Sequence, residues 1–514
     1  MLIHEYLQNN AERFPNKVAL KFQNELLTYG EIDARANQLA HALLSAGMNK
    51  GDRVSIFLDN SPETVISLYG VLKAGGVFST LSATLKSKKL EYILDNSDAS
   101  FLISHWQKAD TVSTASAHIS SLKKVIMCGK SPDNGTSIPL DAAAVEWDTF
   151  IAHMPFTPPE NKCIDIDLAN IVYTSGSTGN PKGVMMTHLN MSSAATSIIQ
   201  YLENRDSDIV LDVLPLSFDY GLYQVIMAFM FGGTIVLEKS FAYPYVVIDK
   251  IIKEKVTGFP IVPTILAILL QLKNLDKYDF THLRYITNTG AALPVHHIKQ
   301  LRELFPHVKI YSMYGLTECK RVSYLPPEDI DKRPASVGKG MPNEEVYIVN
   351  DKGEKAGPGI VGELVVRGSN VMRGYWKSPD DTDRVLKEGL YPGEKVLYTG
   401  DLFRMDEEGY LYFVARKDDL IKTRGERVSP REVENVLYEI KGVTEAAVIG
   451  VPDEILGSAI KAFIVLNSDD NLQEKDIIKY CQDNLESFMV PKYVVFVDAF
   501  AKTSSGKIDK KVLK

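Results

Sequence analysis

The stretch Tyr173–Gly183, reading YTSGSTGNPKG, decides how the rest of the chain is read. It gathers Thr174, Ser175, Ser177 and Thr178 about Gly176 and Gly179, then places Lys182 just before Gly183. Glycine lets successive backbone N–H groups turn toward one point, which makes an anion-sized nest. Hydroxyls add rotatable donors, and the lysine adds a point charge suited to phosphate. The loop therefore reads as a cradle for polyphosphate. A Ser/Gly-rich stretch can also be a flexible linker. Here, however, the β-branched run IVYT precedes it, and LNMSSAATSIIQYL follows as a helix with Asn190 near its start. Strand, tight loop, then helix is an arrangement that binds phosphate, because a helix N-terminus adds positive potential. A Walker A loop is excluded: GxxxxGK[ST] needs glycine before the lysine, and Pro181 stands there.

At 514 residues the chain is expected to hold at least two domains. Its 45% hydrophobic and 24% charged residues suit a soluble globular enzyme. A net charge of -8 argues against a general binder of nucleic acid or of anionic membranes. Cys128, Cys163, Cys319 and Cys481 are widely spaced and form no CxxC pair, which points to a reducing compartment and excludes a zinc ribbon. The N-terminal MLIHEYLQNNAERFPNK lacks the apolar run of a signal peptide, so a cytoplasmic location is expected. The greasiest stretches, Val225–Leu237 and Phe259–Leu272, are broken by Gly232, Gly233, Pro260 and Pro263 and read as buried core, with no membrane span.

Strands rich in Val, Ile and Leu alternate with helical patterns: RVSIFLDN precedes PETVISLYGVLKAGG, and TIVLEK precedes YVVIDKIIKEK. This predicts an α/β fold whose large N-terminal domain carries mostly parallel sheets. From Val346 the pattern turns to short strands with glycine turns, VYIVNDKGE, GELVVRG and LFRMDEEGYLYFVAR, which predicts a β-rich lobe. Beyond Lys417 helices (PREVENVLYEI, EKDIIKYCQDNL) and strands (AAVIGV, KAFIVL, YVVFVDAF) make a small α+β module. The expected division is 1–417 and 418–514, in the charged run ARKDD.

With the other motifs in view, the loop resembles the phosphate loop of the AMP-forming adenylating enzymes: acyl-CoA synthetases, adenylation domains of peptide synthetases, and luciferases. LTYGEIDARANQLAHAL, LKAGG, YGLTE (Tyr314–Glu318), GELVVRG, YTGDL (Tyr398–Leu402), ARKDDLIKTRGERVSP (Ala415–Pro430) and KTSSGKIDKK (Lys502–Lys511) follow in the family's order over essentially the whole chain. The closest likeness is to stand-alone ligases that load acyl or aminoacyl groups onto carrier proteins or coenzyme A.

The resemblance implies ATP and Mg2+ as requirements and phosphopantetheine as acceptor. Attack of a carboxylate on the α-phosphate builds charge there, so the site needs a metal and fixed cations. Glu318 is a hard oxygen donor for Mg2+, and Thr317 beside it can bind an α-phosphate oxygen. Tyr314 offers a ring face to adenine, with Gly290, Ala291, Ala292 and Ser312 around the base. Asp401 corresponds to the aspartate that takes the ribose hydroxyls, and Arg416 to a further ribose or phosphate contact. Lys507 corresponds to the lysine that bridges the carboxylate and the α-phosphate. Asp418 is similar to the hinge about which a mobile small domain rotates, and Gly425 to the residue that lets a pantetheine thiol approach. Ser312, Ala291, Tyr398 and Ala501 depart from the family's usual residues, and none of them removes a charged catalytic group.

On the acyl side, LPLSFDYGLYQ (Leu214–Gln224) carries Asp219, which resembles the aspartate that pairs with a substrate ammonium; capping of the following helix, or pairing with a local basic residue, is the alternative. Alignment to the family lines the acyl pocket with Asp219, Tyr220, Tyr223, Thr287, Thr289, Met313, Arg321 and Val322, the tyrosines narrowing it for a small acid. Arg321 either pairs with a second carboxylate or faces solvent with Lys320, the latter being the expectation. The substrate reading is a small carboxylic acid, with an amino acid favoured. A non-amino fatty or aryl acid is the alternative, and a non-catalytic nucleotide-binding protein is the alternative of another class.

Overall fold

The computed structural model describes residues 1–131, 144–174, 180–291, 293–423, 426–453, 456–467, 470, 472–503 and 506–513. Ser175, Gly176, Ser177, Thr178, Gly179, Ala292 and Gly425 lie outside them.

The described residues form two large sheets and two small ones. The nine-stranded sheet is parallel through its centre, from Val18–Phe22 across Thr234–Leu237, Ile209–Asp212, Gly258–Ile261 and Tyr285–Asn288 to Lys309–Tyr314. The eight-stranded sheet is parallel from Leu168–Thr174 through Val77–Thr80, Arg53–Phe57, Ala99–His105 and Lys124–Cys128 to Ala144–Glu146. Short βα units with Val, Ile and Leu runs produce such sheets, and helices on both faces bury them. Helix Asp219–Phe231 is buried from Asp219 through Phe229. A helix apolar on every side must lie in the interior, and this one carries Asp219, Tyr220 and Tyr223 there with it.

One expectation is corrected. After the phosphate loop the chain enters strand Lys182–Thr187, which pairs antiparallel with Leu168–Thr174 and sets Thr174 opposite Lys182. The loop thus closes a β-hairpin. Helix His188–Leu202 starts only after that strand, with Thr187 accepting the N–H of Asn190 and Asn190 returning to the N–H of Thr187 in a capping box. The helix terminus is a full strand away from the loop, so the arrangement is not strand, loop and helix in direct succession.

The β-rich lobe is an antiparallel sheet of Glu344–Val349, Gly362–Gly368, Leu386–Glu388, Lys395–Met405 and Leu411–Arg416. The C-terminal sheet pairs Val443–Asp453 with Gly457–Leu466, adds Tyr493–Phe496 and the short strands Ile421–Thr423 and Glu426–Val428, and carries helices Pro430–Tyr438 and Glu474–Asn484. Its apolar cluster, including Ile421, Val433, Val448, Ile464 and Ile477, is separate from the cluster that fills the larger part. The large part meets it through Ser429, whose Oγ donates to the Val414 carbonyl at 2.6 Å, and through the rings of His297 and Tyr438, 5.3 Å apart.

Candidate active site

The site is organised by the fold-back that follows strand Lys309–Tyr314. The chain leaves Tyr314, turns through Gly315–Lys320, and returns so that the Val322 N–H reaches the Tyr314 carbonyl at 2.9 Å. The Lys320 N–H closes the turn on the Leu316 carbonyl at 2.7 Å. Gly315 fits because the returning backbone passes over it: a Cβ there would stand 2.1 Å from the Lys320 carbonyl oxygen. Lys320 itself takes φ of 71°, the left-handed region a side chain rarely adopts. This one turn presents Tyr314, Thr317 and Glu318 on one side and delivers Lys320, Arg321 and Val322 to the interior on the other.

On the nucleotide side, the Tyr314 hydroxyl donates to Asp401 Oδ2 at 2.5 Å, and its ring stands 4.8 Å edge-on from Phe403. Burial raises the Asp401 carboxyl above its ordinary value, against the opposing pull of the Arg416 guanidinium and the Tyr314 hydroxyl. Asp401 Oδ1 is buried without a hydrogen bond, its nearest cation being Arg416 Nε at 3.4 Å. An acceptor stranded in this way fits a sugar hydroxyl. Each carboxylate oxygen has two lone pairs, so taking both hydroxyls with both oxygens requires Oδ2 to serve Tyr314 as well. Gly290, at φ of 90°, and Ala291 follow strand Tyr285–Asn288, with the Asn288 side chain donating to the Ala291 carbonyl at 2.9 Å. Ser312 is buried on the neighbouring strand.

On the phosphate side, Thr174 and Lys182 face each other at the loop end of the hairpin. Lys182 Nζ is paired with Asp381 Oδ1 at 2.8 Å and lies 5.5 Å from the centre of the Tyr375 ring. The same Tyr375 donates its hydroxyl to Glu318 Oε1 at 2.7 Å. Among the described residues no cluster of three or more His, Cys, Asp or Glu side chains could hold a metal. Glu318 nevertheless suits Mg2+, which takes one or two carboxylates and completes its shell with water and substrate phosphates.

Lys507 arrives from the C-terminal module. Its Cε would lie 3.4 Å from a Cβ built on Gly290, and a Cβ on Gly506 would lie 3.3 Å from Val262 and 3.2 Å from Thr264 Oγ1. Its backbone is fixed by Thr503, whose Oγ1 accepts the Lys507 N–H at 3.2 Å and whose N–H reaches the Lys507 carbonyl at 2.8 Å. Crowding by the cleft walls pushes its ammonium below the usual lysine range, while Asp219, Asp401 and Glu318 act the other way. Its side chain is still open to solvent, so the cleft surrounds this cation without sealing it.

In the acyl pocket, Tyr220 and Tyr223 are each 1% exposed on helix Asp219–Phe231. The Tyr220 hydroxyl donates to the Thr287 carbonyl at 2.8 Å and lies 2.7 Å from Thr287 Oγ1, whereas the Tyr223 hydroxyl and Thr289 Oγ1 are buried without partners. Met313 and Val322 are buried. Asp219 sits in the helix's first turn, where a carboxylate is favoured by the helix dipole. It does not cap the helix; it lies 4.0 Å from Lys320 Nζ. The expectation that Arg321 faces solvent together with Lys320 is corrected: both are buried, because the left-handed turn at Lys320 carries them inward.

Asp418 is exposed in the turn between Leu411–Arg416 and Ile421–Thr423, next to Lys417, which pairs with Glu363 Oε2 at 2.6 Å. The cleft thus brings together Lys507, Glu318, Tyr314, Asp401, Arg416, Gly290 and Asp219, with Lys182 at the hairpin. The sequence reading gave no site role to Lys320, Tyr375 and Asp381; the doublet Lys320–Arg321, separated from YGLTE only by Cys319, was the available signal for the first.

Comparisons with known proteins identify the family. Residues 7–376 match the family described as AMP-binding enzyme, and residues 432–507 match the AMP-binding enzyme C-terminal domain. The long-chain-fatty-acid–CoA ligase of Bacillus subtilis (strain 168) is 34% identical, over 98% of this chain and 93% of its own length. Among solved structures, the anthranilate CoA ligase AuaEII in complex with anthranoyl-AMP superposes with a TM-score of 0.90 at 28% identity, covering 99% of this chain and 95% of that one. ATP-bound MatB from Rhodopseudomonas palustris gives 0.89 at 26% identity, covering 100% and 98%. By its two matched segments, its end-to-end relatives and its fold, the chain belongs to the family of AMP-binding enzymes, the AMP-forming acid–thiol ligases.

Proposed function

We propose that this ligase activates a small carboxylic acid with ATP and passes the acyl group to a phosphopantetheine thiol, on coenzyme A or a carrier protein, in the cytoplasm. The observation that carries the reading is Lys507: a cation from the C-terminal module whose Cε would lie 3.4 Å from a Cβ on Gly290, under the pull of Asp219, Asp401 and Glu318 of the larger part. Two buried tyrosines on helix Asp219–Phe231 support the small size of the acid.

In the first half-reaction a carboxylate oxygen attacks the α-phosphorus, the bond to the bridging oxygen of the β-phosphate breaks, and pyrophosphate leaves with that electron pair. Lys507 draws the carboxylate to the α-phosphate and neutralises the charge growing there. Asp401 Oδ1 holds a ribose hydroxyl, and Tyr314, fixed by its hydroxyl on Asp401, presents its ring to the base. Lys182 exchanges Asp381 for the outer phosphates. Glu318 would hold Mg2+, which when bound would supply Lewis-acid neutralisation of phosphate oxygens. In the second half-reaction the thiol sulfur attacks the acyl carbon, its proton passes to solvent, and AMP leaves with the electrons of the acyl–oxygen bond. For this step the module beyond Asp418 turns about that residue and withdraws Lys507.

Lys507→Ala tests the reading. Acid-dependent ATP–pyrophosphate exchange is expected to fall about 10²–10³-fold, the usual effect of deleting one group that neutralises charge in the transition state. Thioester formation from preformed acyl-AMP is expected to survive. Equal loss of both half-reactions, or exchange left intact, contradicts the assignment.

A further inference from the structure

Arg321 is a buried cation without a counter-charge. It is 3% exposed, and Lys320 beside it 2%. The guanidinium lies 4.5 Å over the Tyr220 ring, and its Nη1 donates to the Lys320 carbonyl at 3.1 Å. Its Nε and Nη2 have no hydrogen-bond partner, nor do Lys320 Nζ and the Tyr223 hydroxyl. Lys320 Nζ stands 5.6 Å from the centre of the Tyr223 ring and 4.0 Å from Asp219, the outer limit of an ion pair. Among the described residues no carboxylate reaches Arg321 within that limit.

A guanidinium taken out of water with two donors idle is a penalty proteins seldom carry for packing alone. Its neighbours cannot relieve it. Asp219 is shared between Lys320 and the longer-range pull on Lys507. The reacting carboxylate of the substrate goes to Lys507. An apolar acyl tail would leave Arg321 uncompensated, and an ammonium alone would add a further positive charge. An oxyanion answers both idle donors at once, since the guanidinium fork matches a carboxylate bidentately.

We propose that the acid activated here carries a second anionic group, which Arg321 binds with Lys320 at its side, away from the carboxylate that becomes the adenylate. The proposal rests on the ligase reading above and narrows its substrate. Dicarboxylic acids and acidic amino acids share this chemistry, and in the latter Asp219 would take the ammonium.

The test uses the full-length enzyme in ATP–pyrophosphate exchange with matched acids: butanoate against butanedioate, pentanoate against pentanedioate, and norvaline against glutamate. The doubly charged member of at least one pair is expected to win by about 100-fold or more in kcat/KM, because a site built for a polar group rejects the analogue lacking it. The responding pair distinguishes the dicarboxylic from the amino acid class. Arg321→Met is expected to collapse that ratio toward one, chiefly through KM of the charged acid, and Arg321→Lys to restore part of it. Replacing an unpaired buried charge with an apolar side chain of similar length spares the fold, and the wild-type comparison needs no variant. Neutral acids used as well as their charged partners would overturn the proposal and leave the ligase reading standing. Exchange with no acid of any class would overturn both.

Discussion

Gly315 occupies a place in the site where the absence of a side chain is enforced by backbone. The Lys320 carbonyl would lie 2.1 Å, and the Arg321 Cα 2.9 Å, from any Cβ added there. Neither is a flexible side-chain tip, so the fold-back itself has to move. Gly315→Ala is therefore expected to destabilise the protein by about 1–3 kcal/mol, as overpacking does, and to raise KM for the acid more than KM for ATP. Thermal unfolding with steady-state kinetics on both substrates reads the two effects; a rise confined to ATP would mean that the loop positions the nucleotide instead. At this scale the sequence offers candidates wherever a charged residue sits in a recognisable motif, as Lys507, Glu318 and Asp401 do. It is misleading for Lys320 and Arg321, since lysine and arginine are ordinarily solvated, and only the left-handed turn at Lys320 reverses that. Asp381 could not be foreseen as the partner of Lys182, because nothing local joins the two segments before the chain folds.

Single elements were read well where their period was clean. The helices PETVISLYGVLKAGG and EKDIIKYCQDNL occur as Pro62–Lys73 and Glu474–Asn484. The strand Lys182–Thr187 goes unassigned between the loop and the helix read from Leu189, because it runs straight into the Thr187–Asn190 capping box, a strong helix-start signal. Helix His188–Leu202 also anchors the N-terminal helix Ile3–Arg13: His188 Nδ1 accepts the Ile3 N–H at 3.2 Å, and the His4 and His188 rings meet edge to face at 5.8 Å. Burial holds His188 at about 4 and His4 at about 3, both below the ordinary value of 6.5. Lowered folded-state values mean that the unfolded chain takes up protons first. The stabilisation is complete above pH 6.5 and is lost as the pH falls toward 4 and then 3. For His188 alone the loss reaches on the order of 3 kcal/mol at the acid end. The melting temperature is expected to fall through this window, and His188→Asn to flatten the slope; an unchanged slope would place the acid sensitivity elsewhere.

Across the whole molecule, alternating strands and helices announced the large α/β part, and the change of pattern after Lys417 announced the small module. How the two lie against each other was not legible, because one exposed turn joins two separate apolar cores. Asp418 stands in that turn. Asp418→Pro, which freezes φ, is expected to leave adenylation nearly intact and to slow thioester formation. Single-turnover measurement of the two steps checks this, and a loss confined to adenylation would remove Asp418 from the role of pivot. The seat of Lys507 has a further consequence. Its side chain remains open to water and is pulled on by carboxylates at a distance, so the residence time of the small module depends on the charge held in the cleft. Thermodynamic reciprocity then requires that the module tighten ATP by the same factor by which ATP retains the module. When pyrophosphate departs it takes most of that charge with it. On the proposed mechanism, completion of the first reaction would loosen the latch for the second, with product release timing the cycle.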